Sequence, residues 1–167
     1  MPRKARLLKE GCSYYVESKS HDNLQIFRTI QDYQFYMDLL TRYKDQLDTK
    51  IYAFCIFPRT THLIVHPQQV KNLSIFMQKV NQVYASYFNG QQKRQGTVWR
   101  DRFRSHVLSN EKEIINLTKL IEFLPVHFNL AASPMNYPWS SYSQRVFGTR
   151  GLLDLLLIEE NLNLNTV

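Results

Sequence analysis

Apolar and polar positions along this chain switch between two periods. Residues 13–18 (S-Y-Y-V-E-S) alternate as a short strand does, and 19–23 (K-S-H-D-N) make a polar loop. From 32 to 47 the pattern changes: Phe35, Leu39, Tyr43 and Leu47 recur every fourth position, which predicts a helix. An aromatic and β-branched run at 51–57 (I-Y-A-F-C-I-F) and a second at 63–65 flank the turn signal Pro58-Arg59 and predict a hairpin. Asn72 is placed to cap a second helix carrying Leu73, Phe76, Val80, Val83 and Tyr87 at helical spacing, with Asn89-Gly90 as its stop. Those aromatics read as core.

Residues 91–97 (Q-Q-K-R-Q-G-T) form a polar, basic loop, and 98–108 (V-W-R-D-R-F-R-S-H-V-L) read as a further strand. Arg102, Arg104 and His106 share one parity of it and Phe103, Ser105 and Val107 the other, so a half-buried strand with a basic outer face is expected. A third helix spans 110–124 and is ended by Pro125. The aromatic segment 137–142 (Y-P-W-S-S-Y) is expected to pack back on the body, and 151–157 (G-L-L-D-L-L-L) predict a short final helix before a polar tail. The order strand, helix, strand, strand, helix, strand, helix predicts an α+β fold: a ferredoxin-like, RRM-like antiparallel sheet with helices packed on one face, leaving the other free for nucleic acid. Residues 1–150 form one domain, with 151–167 a short C-terminal helix and tail of that same domain.

Composition narrows the classes. With 167 residues, 44% hydrophobic and 13% aromatic, the chain is globular and long enough for a full core. No run approaches the ~18 apolar residues of a membrane span, and the basic opening M-P-R-K-A-R-L-L-K-E lacks the apolar stretch of a signal peptide, so a cytoplasmic protein is expected. Cys12 and Cys55 form no CxxC pair and read as buried thiols. The net charge of +7 is clustered: Arg3, Lys4, Arg6 and Lys9 at the start, then Lys93, Arg94, Arg100, Arg102 and Arg104, opposed only by Asp101. Clustering of this kind points to a polyanion partner, and nucleic acid is the usual one. Trp99 and Phe103 are interleaved with those arginines. An exposed ring there would offer a stacking face to an unpaired base, although Phe103 is better placed in the core.

Several segments, in order and nearly end to end, resemble the REP-associated tyrosine transposases, of the single-tyrosine HUH transposase family of insertion sequences. They are M-P-R-K-A-R at the start; Asp32-Tyr33; F-P-x-x-x-H-L-I-V at 57–65; Y-A-S-Y-F-N at 84–89; G-T-V-W-R-D-R-F-R-S at 96–105; I-E-x-x-P-V at 121–126; and Y-P-W-S-S-Y at 137–142. The resemblance implies cleavage and rejoining of single-stranded DNA beside a hairpin. In that chemistry a tyrosine on the third helix attacks a phosphodiester, and a magnesium or manganese ion is held by two histidines and a polar side chain one turn after the tyrosine. It also implies that the basic N-terminal segment, here Arg3, Lys4 and Arg6, helps to read the base of the hairpin, and that a homodimer is one of the states available.

The catalytic positions depart from that pattern. Where the family reads P-N-H-x-H-L, this chain reads Pro58-Arg59-Thr60-Thr61-His62-Leu63; where the family reads Y-I-E-x-N-P-V, it reads Leu120-Ile121-Glu122-Phe123-Leu124-Pro125-Val126. The second histidine survives as His62. The first is Thr60, the nucleophile position is Leu120 and the polar helper is Leu124. Thr60 and His62 share a strand face, whereas His66, about 13 Å further along an extended strand, is too far to share an ion. Leucine supplies no nucleophile, and threonine replaces imidazole poorly except at a magnesium site. Glu122 reads as a solvated charge, and Tyr84 and Tyr87 as scaffold. The expectation is a DNA-binding, transposase-like protein for hairpin or single-stranded DNA, without cleavage activity, resident cofactor or metal. Two alternatives stay open: an active single-strand transposase with a displaced tyrosine and a magnesium or manganese ion, and a non-enzymatic RNA-binding or protein-partner module.

Overall fold

The computed structural model describes residues 8–148 and 151–154. A four-stranded antiparallel sheet is built from β1 (Ser13–Lys19), β2 (Thr49–Ile56), β3 (Thr60–Pro67) and β4 (Arg104–Leu108), in the order β2-β3-β1-β4. α1 (Ile30–Gln46) crosses from β1 to β2, and α2 (Val70–Gln91) crosses from β3 to β4. α3 (Glu111–His127) and the short α4 (Tyr142–Phe147) follow. Insertion of β3 between β1 and β2 is the split βαβ arrangement of a ferredoxin-like sheet. The α+β class and the antiparallel sheet are as the sequence predicts.

Strand alternation divides the core in two. Tyr14, Val16, Phe54, Leu63 and Val65 point to the α1–α2 side, where Tyr36, Leu40, Phe76, Val80 and Tyr84 meet them, all buried. The opposite parity, Ala53, Cys55 and Ile64, packs on Ile114 and Ile121 of α3 and on Tyr137. The sheet is therefore covered on both faces. The expectation of helices on one face holds for α1 and α2 and fails for α3, whose apolar stripe had to be buried somewhere and finds an apolar second sheet face.

Local chemistry sets the helix ends. Thr29 and Asp32 form a reciprocal capping box at α1, with Asp32 Oδ2 accepting from the Arg28 and Thr29 amides. Asn110 caps α3 by accepting from the Glu113 amide at 2.9 Å. Asn72 does not cap α2. The helix begins at Val70 after an N-cap Gln69 that makes no side-chain bond, and Asn72 instead donates to the Leu47 carbonyl at 2.8 Å. α2 also runs through Asn89-Gly90 to Gln91, and the chain turns at Lys93, whose φ is +49°. Pro125 lies inside α3, which ends two residues later; in the last turn a proline costs the helix a single backbone bond.

The predicted strand at 98–108 is shorter than expected. Val98 and Trp99 turn into the α1–α2 core, where Trp99 Nε1 donates to the Asn81 carbonyl at 2.8 Å, so regular pairing starts only at Arg104. Residues 151–154 are not helical, and the rest of the predicted final helix, 155–157, lies outside the described residues. These four residues fasten to β2: Asp154 accepts from Lys44 Nζ at 2.6 Å and from the Ile51 amide at 2.8 Å, and its own amide donates to the Ile51 carbonyl. Residues 139–141 occupy the same outer edge of β2. The Ile56 amide donates to the Trp139 carbonyl and the Ser141 amide to the Phe54 carbonyl.

Candidate functional site

The hairpin joining β2 and β3 brings the HUH-like positions to one end of the sheet. Phe57 donates its amide to the Thr60 carbonyl at 2.7 Å, which closes the Pro58-Arg59 turn. Thr60 opens β3 opposite Lys19 of β1, and His62 lies opposite Glu17 of β1 and Cys55 of β2. Paired residues in an antiparallel ladder share a face, so Thr60, His62, Glu17 and Tyr15 lie on the side that carries α3.

His62 is partly buried and already engaged. Its Nδ1 lies 2.7 Å from the Tyr15 hydroxyl, and the Phe57 ring meets it edge-on at 5.5 Å. Burial lowers the His62 pKa below its usual value, with Glu17 opposing the shift. Burial pushes the Tyr15 phenol up to about 12, and the Glu17 carboxylate adds to that. At neutral pH the pair is an uncharged imidazole against an uncharged phenol. His66 points its Nδ1 at Ser13 Oγ, 3.0 Å away, and takes no part in this cluster.

α3 supplies the opposing wall. Leu117, Leu120 and Leu124 follow at i, i+3 and i+7 on one stripe. Leu117 lines an open hollow of about 510 Å³ together with Tyr15, Glu17, Arg104, Ser105 and His106. Leu124 packs into the second core, and Leu120 between them is 59% exposed. A divalent ion between the sheet and this wall would find one imidazole (His62), one carboxylate (Glu17), the hydroxyls of Thr60 and Tyr15, and three leucines. Among the described residues no group of three His, Cys, Asp or Glu is placed to hold a metal. The donor set does not fit the ion that the HUH resemblance implies.

The basic residues converge beside this cleft. The Arg100 amide donates to the Lys19 carbonyl at 2.8 Å, so the 100–104 segment runs along the end of β1. Lys19, Arg100, Arg102 and Arg104 line one shallow hollow with Glu17 and Asp101. All four cationic side chains are exposed. Arg94 is spent differently: it donates to Asn89 Oδ1 and to the Thr97 carbonyl and lies over the Phe88 ring, holding its own loop. Lys93 next to it is exposed. Trp99 is half-buried, its ring packed against the α1–α2 core on one side and lining a groove on the other, and Phe103 is in the core. Arg3, Lys4 and Arg6 lie outside the described residues.

Glu122 corrects another expectation. It is 3% exposed and accepts from Ser141 Oγ at 2.5 Å and from Arg145 Nε at 3.0 Å, while Arg145 also donates to the Tyr52 carbonyl. The I-E-x-x-P-V and Y-P-W-S-S-Y segments are thus two halves of one buried polar joint. Tyr33 stacks on Trp139 of the second segment at 4.6 Å, while Asp32 Oδ1 accepts from Tyr87 of α2. Tyr84 donates to the Ile26 carbonyl at the centre of the core. Tyr15 and Glu17 were missed by sequence reasoning, because their role depends on the β1–β3 register, which no local pattern encodes.

Comparison with known proteins fits this geometry. The family model described as "Transposase IS200 like" matches residues 13–122. The structure of a REP-associated tyrosine transposase bound to a REP hairpin superposes with a TM-score of 0.73 at 18% identity, covering 92% of this chain and 89% of that one. A second structure, a candidate transposase from Deinococcus radiodurans R1, aligns at 16% identity over 72% of this chain and 96% of that one, with a TM-score of 0.48. No curated protein matches.

Proposed function

This chain belongs to the IS200-like transposase family, and from that premise we propose that it binds hairpin or single-stranded DNA without cutting it. The observation that carries the reading is the wall of the cleft: Leu120 and Leu124 stand where the family pattern places the nucleophile and a metal ligand, and Thr60 stands where it places a histidine. Leu120 is exposed, so a nucleophile there would be accessible if the residue were a tyrosine. The surviving histidine is held by Tyr15. Each departure removes a different part of the cleavage chemistry, and a group transfer lacking both attacking oxygen and Lewis acid has no route.

What remains suits binding. Lys19, Arg100, Arg102 and Arg104 form an exposed cationic strip at the end of the sheet, and arginine pairs with phosphate through two donors at once. The hairpin in the REP-associated relative supports the choice of partner. The protein is expected to act in the cytoplasm; among the described residues no helix is long and apolar enough to cross a membrane.

The test is binding to hairpin and single-stranded DNA across a salt series, with a parallel search for a covalent adduct in manganese. The expected result is affinity that falls steeply with salt and no adduct. A second reading has one observation behind it: Tyr15 is a phenol touching a histidine inside the cleft. An adduct that forms with manganese and disappears in Tyr15→Phe would establish a displaced nucleophile and overturn the non-cutting reading. The raised phenol pKa weighs against that outcome, because the attacking species would be harder to form.

A further inference from the structure

A groove of about 550 Å³ lies outside the HUH-like cleft, between α2 and the 99–103 segment. Its walls include Gln78, Gln82 and Ala85 from α2, and Trp99, Asp101 and Arg102 from the opposite side. The volume falls within the ~300–1,000 Å³ typical of small-ligand sites. None of the HUH-like positions lines it, and the family's cleavage chemistry gives it no task.

Three features define what it would accept. Trp99 is a fixed ring: its Nε1 is tied to the Asn81 carbonyl, and Tyr36 and Tyr84 lie behind it at 6.3 and 6.0 Å. A platform held in this way loses little freedom when a flat group settles on it. Gln78 and Gln82 are exposed, one turn apart on α2, and each offers an amide with both donors and an acceptor, the complement of a base edge. Arg102 belongs to two places at once, the groove wall and the cationic strip with Lys19, Arg100 and Arg104. A phosphate backbone following that strip therefore passes the mouth of the groove.

We propose that this groove is a subsite for one unpaired nucleobase of the bound strand, with Trp99 as its apolar wall, the Gln78 and Gln82 amides reading its edge and Arg102 taking the adjoining phosphate. The proposal rests on the DNA-binding reading above and adds a specificity element to it: discrimination by an unpaired base, separate from charge.

The experiment is a thermodynamic cycle on hairpin DNA. One partner is the protein, with Ala85→Trp to fill the groove and the double variant Gln78→Ala/Gln82→Ala as a milder change at exposed positions. The other is a hairpin set in which each unpaired nucleotide in turn is made abasic. Thermal melting confirms that the variants fold. The expected result is that one abasic position weakens binding to the native protein by about tenfold, in keeping with the loss of a single stacked base, and that this position makes no difference to the groove variants. The salt dependence of all proteins stays the same. If the variants bind every hairpin as the native protein does, the groove proposal is wrong and the DNA-binding reading stands. If the native protein binds no hairpin in low salt, both fall together.

Discussion

At His62 burial outweighs the opposing Glu17 carboxylate and keeps the imidazole neutral. Tyr15 holds Nδ1, and burial disfavours the imidazolium. His66 is lowered in the same direction by burial and by Lys50. A histidine kept neutral in the folded chain but free to take a proton near its ordinary pKa when unfolded gives full stability above that value. The stability is lost as pH falls from about 6.5 toward the lower folded pKa. The melting temperature should therefore drop between pH 7 and pH 5, and His62→Gln, which keeps a polar contact for Tyr15, should flatten part of that drop. Melting curves at fixed ionic strength read it directly. Legibility differed from residue to residue. Thr60, Leu120 and Leu124 stood out because each interrupts a local motif. Tyr15 did not, because only the pairing of β1 with β3 brings it to His62. Glu122 was misread as solvated, because nothing within its own helix announces that Ser141 and Arg145 will close over it.

Elements pack here by sharing a few buried polar joints, and one of them ties α3 to α4 through Glu122 and Arg145. Their side chains are only 4% and 16% exposed. Removing one partner leaves the other charge buried without compensation, which typically costs about 3–5 kcal/mol. Glu122→Ala should accordingly lower the melting temperature by on the order of 10 °C, while Glu113→Ala, at an exposed cap, should lower it far less. A loss of DNA binding in Glu122→Ala without a loss of stability would mean that the carboxylate serves the ligand and not the fold. Helix periodicity located α1, α2 and α3 to within a few residues, since their stripes are regular. The strand at 98–108 was overextended because Val98 and Trp99 have strand-like composition, yet the tryptophan is drawn into the α1–α2 core by its bond to Asn81. The third helix was expected on the same side as the other two. Which sheet face it covers is settled by the second parity of β2 and β3, apolar where a nucleic-acid platform would be polar.

For the whole molecule, charge placement matters more than total charge. Of the cationic positions singled out in the sequence, Arg94 is used internally, whereas Arg100, Arg102 and Arg104 form a strip beside the cleft. The triple change Arg100→Glu/Arg102→Glu/Arg104→Glu should weaken hairpin binding and flatten the log–log salt dependence by up to about 2, taking ~0.7 per phosphate on single strands. Lys79→Glu, on the outer side of α2 over Tyr43, should do much less. Filter binding or anisotropy at four salt concentrations distinguishes the two.

The outer border of β2 carries a further consequence. Residues 139–141 and Asp154 take up its backbone groups at Phe54, Ile56 and Ile51, so this apolar strand presents no row of unmet amides to another molecule. At the opposite border β4 has five residues, with Arg104 and His106 pointing outward. A chain cut after Pro138 would unmask β2 and should form soluble aggregates visible by size-exclusion chromatography. Taking up those backbone groups with residues 139–141 and Asp154 should keep this border from pairing with a second copy.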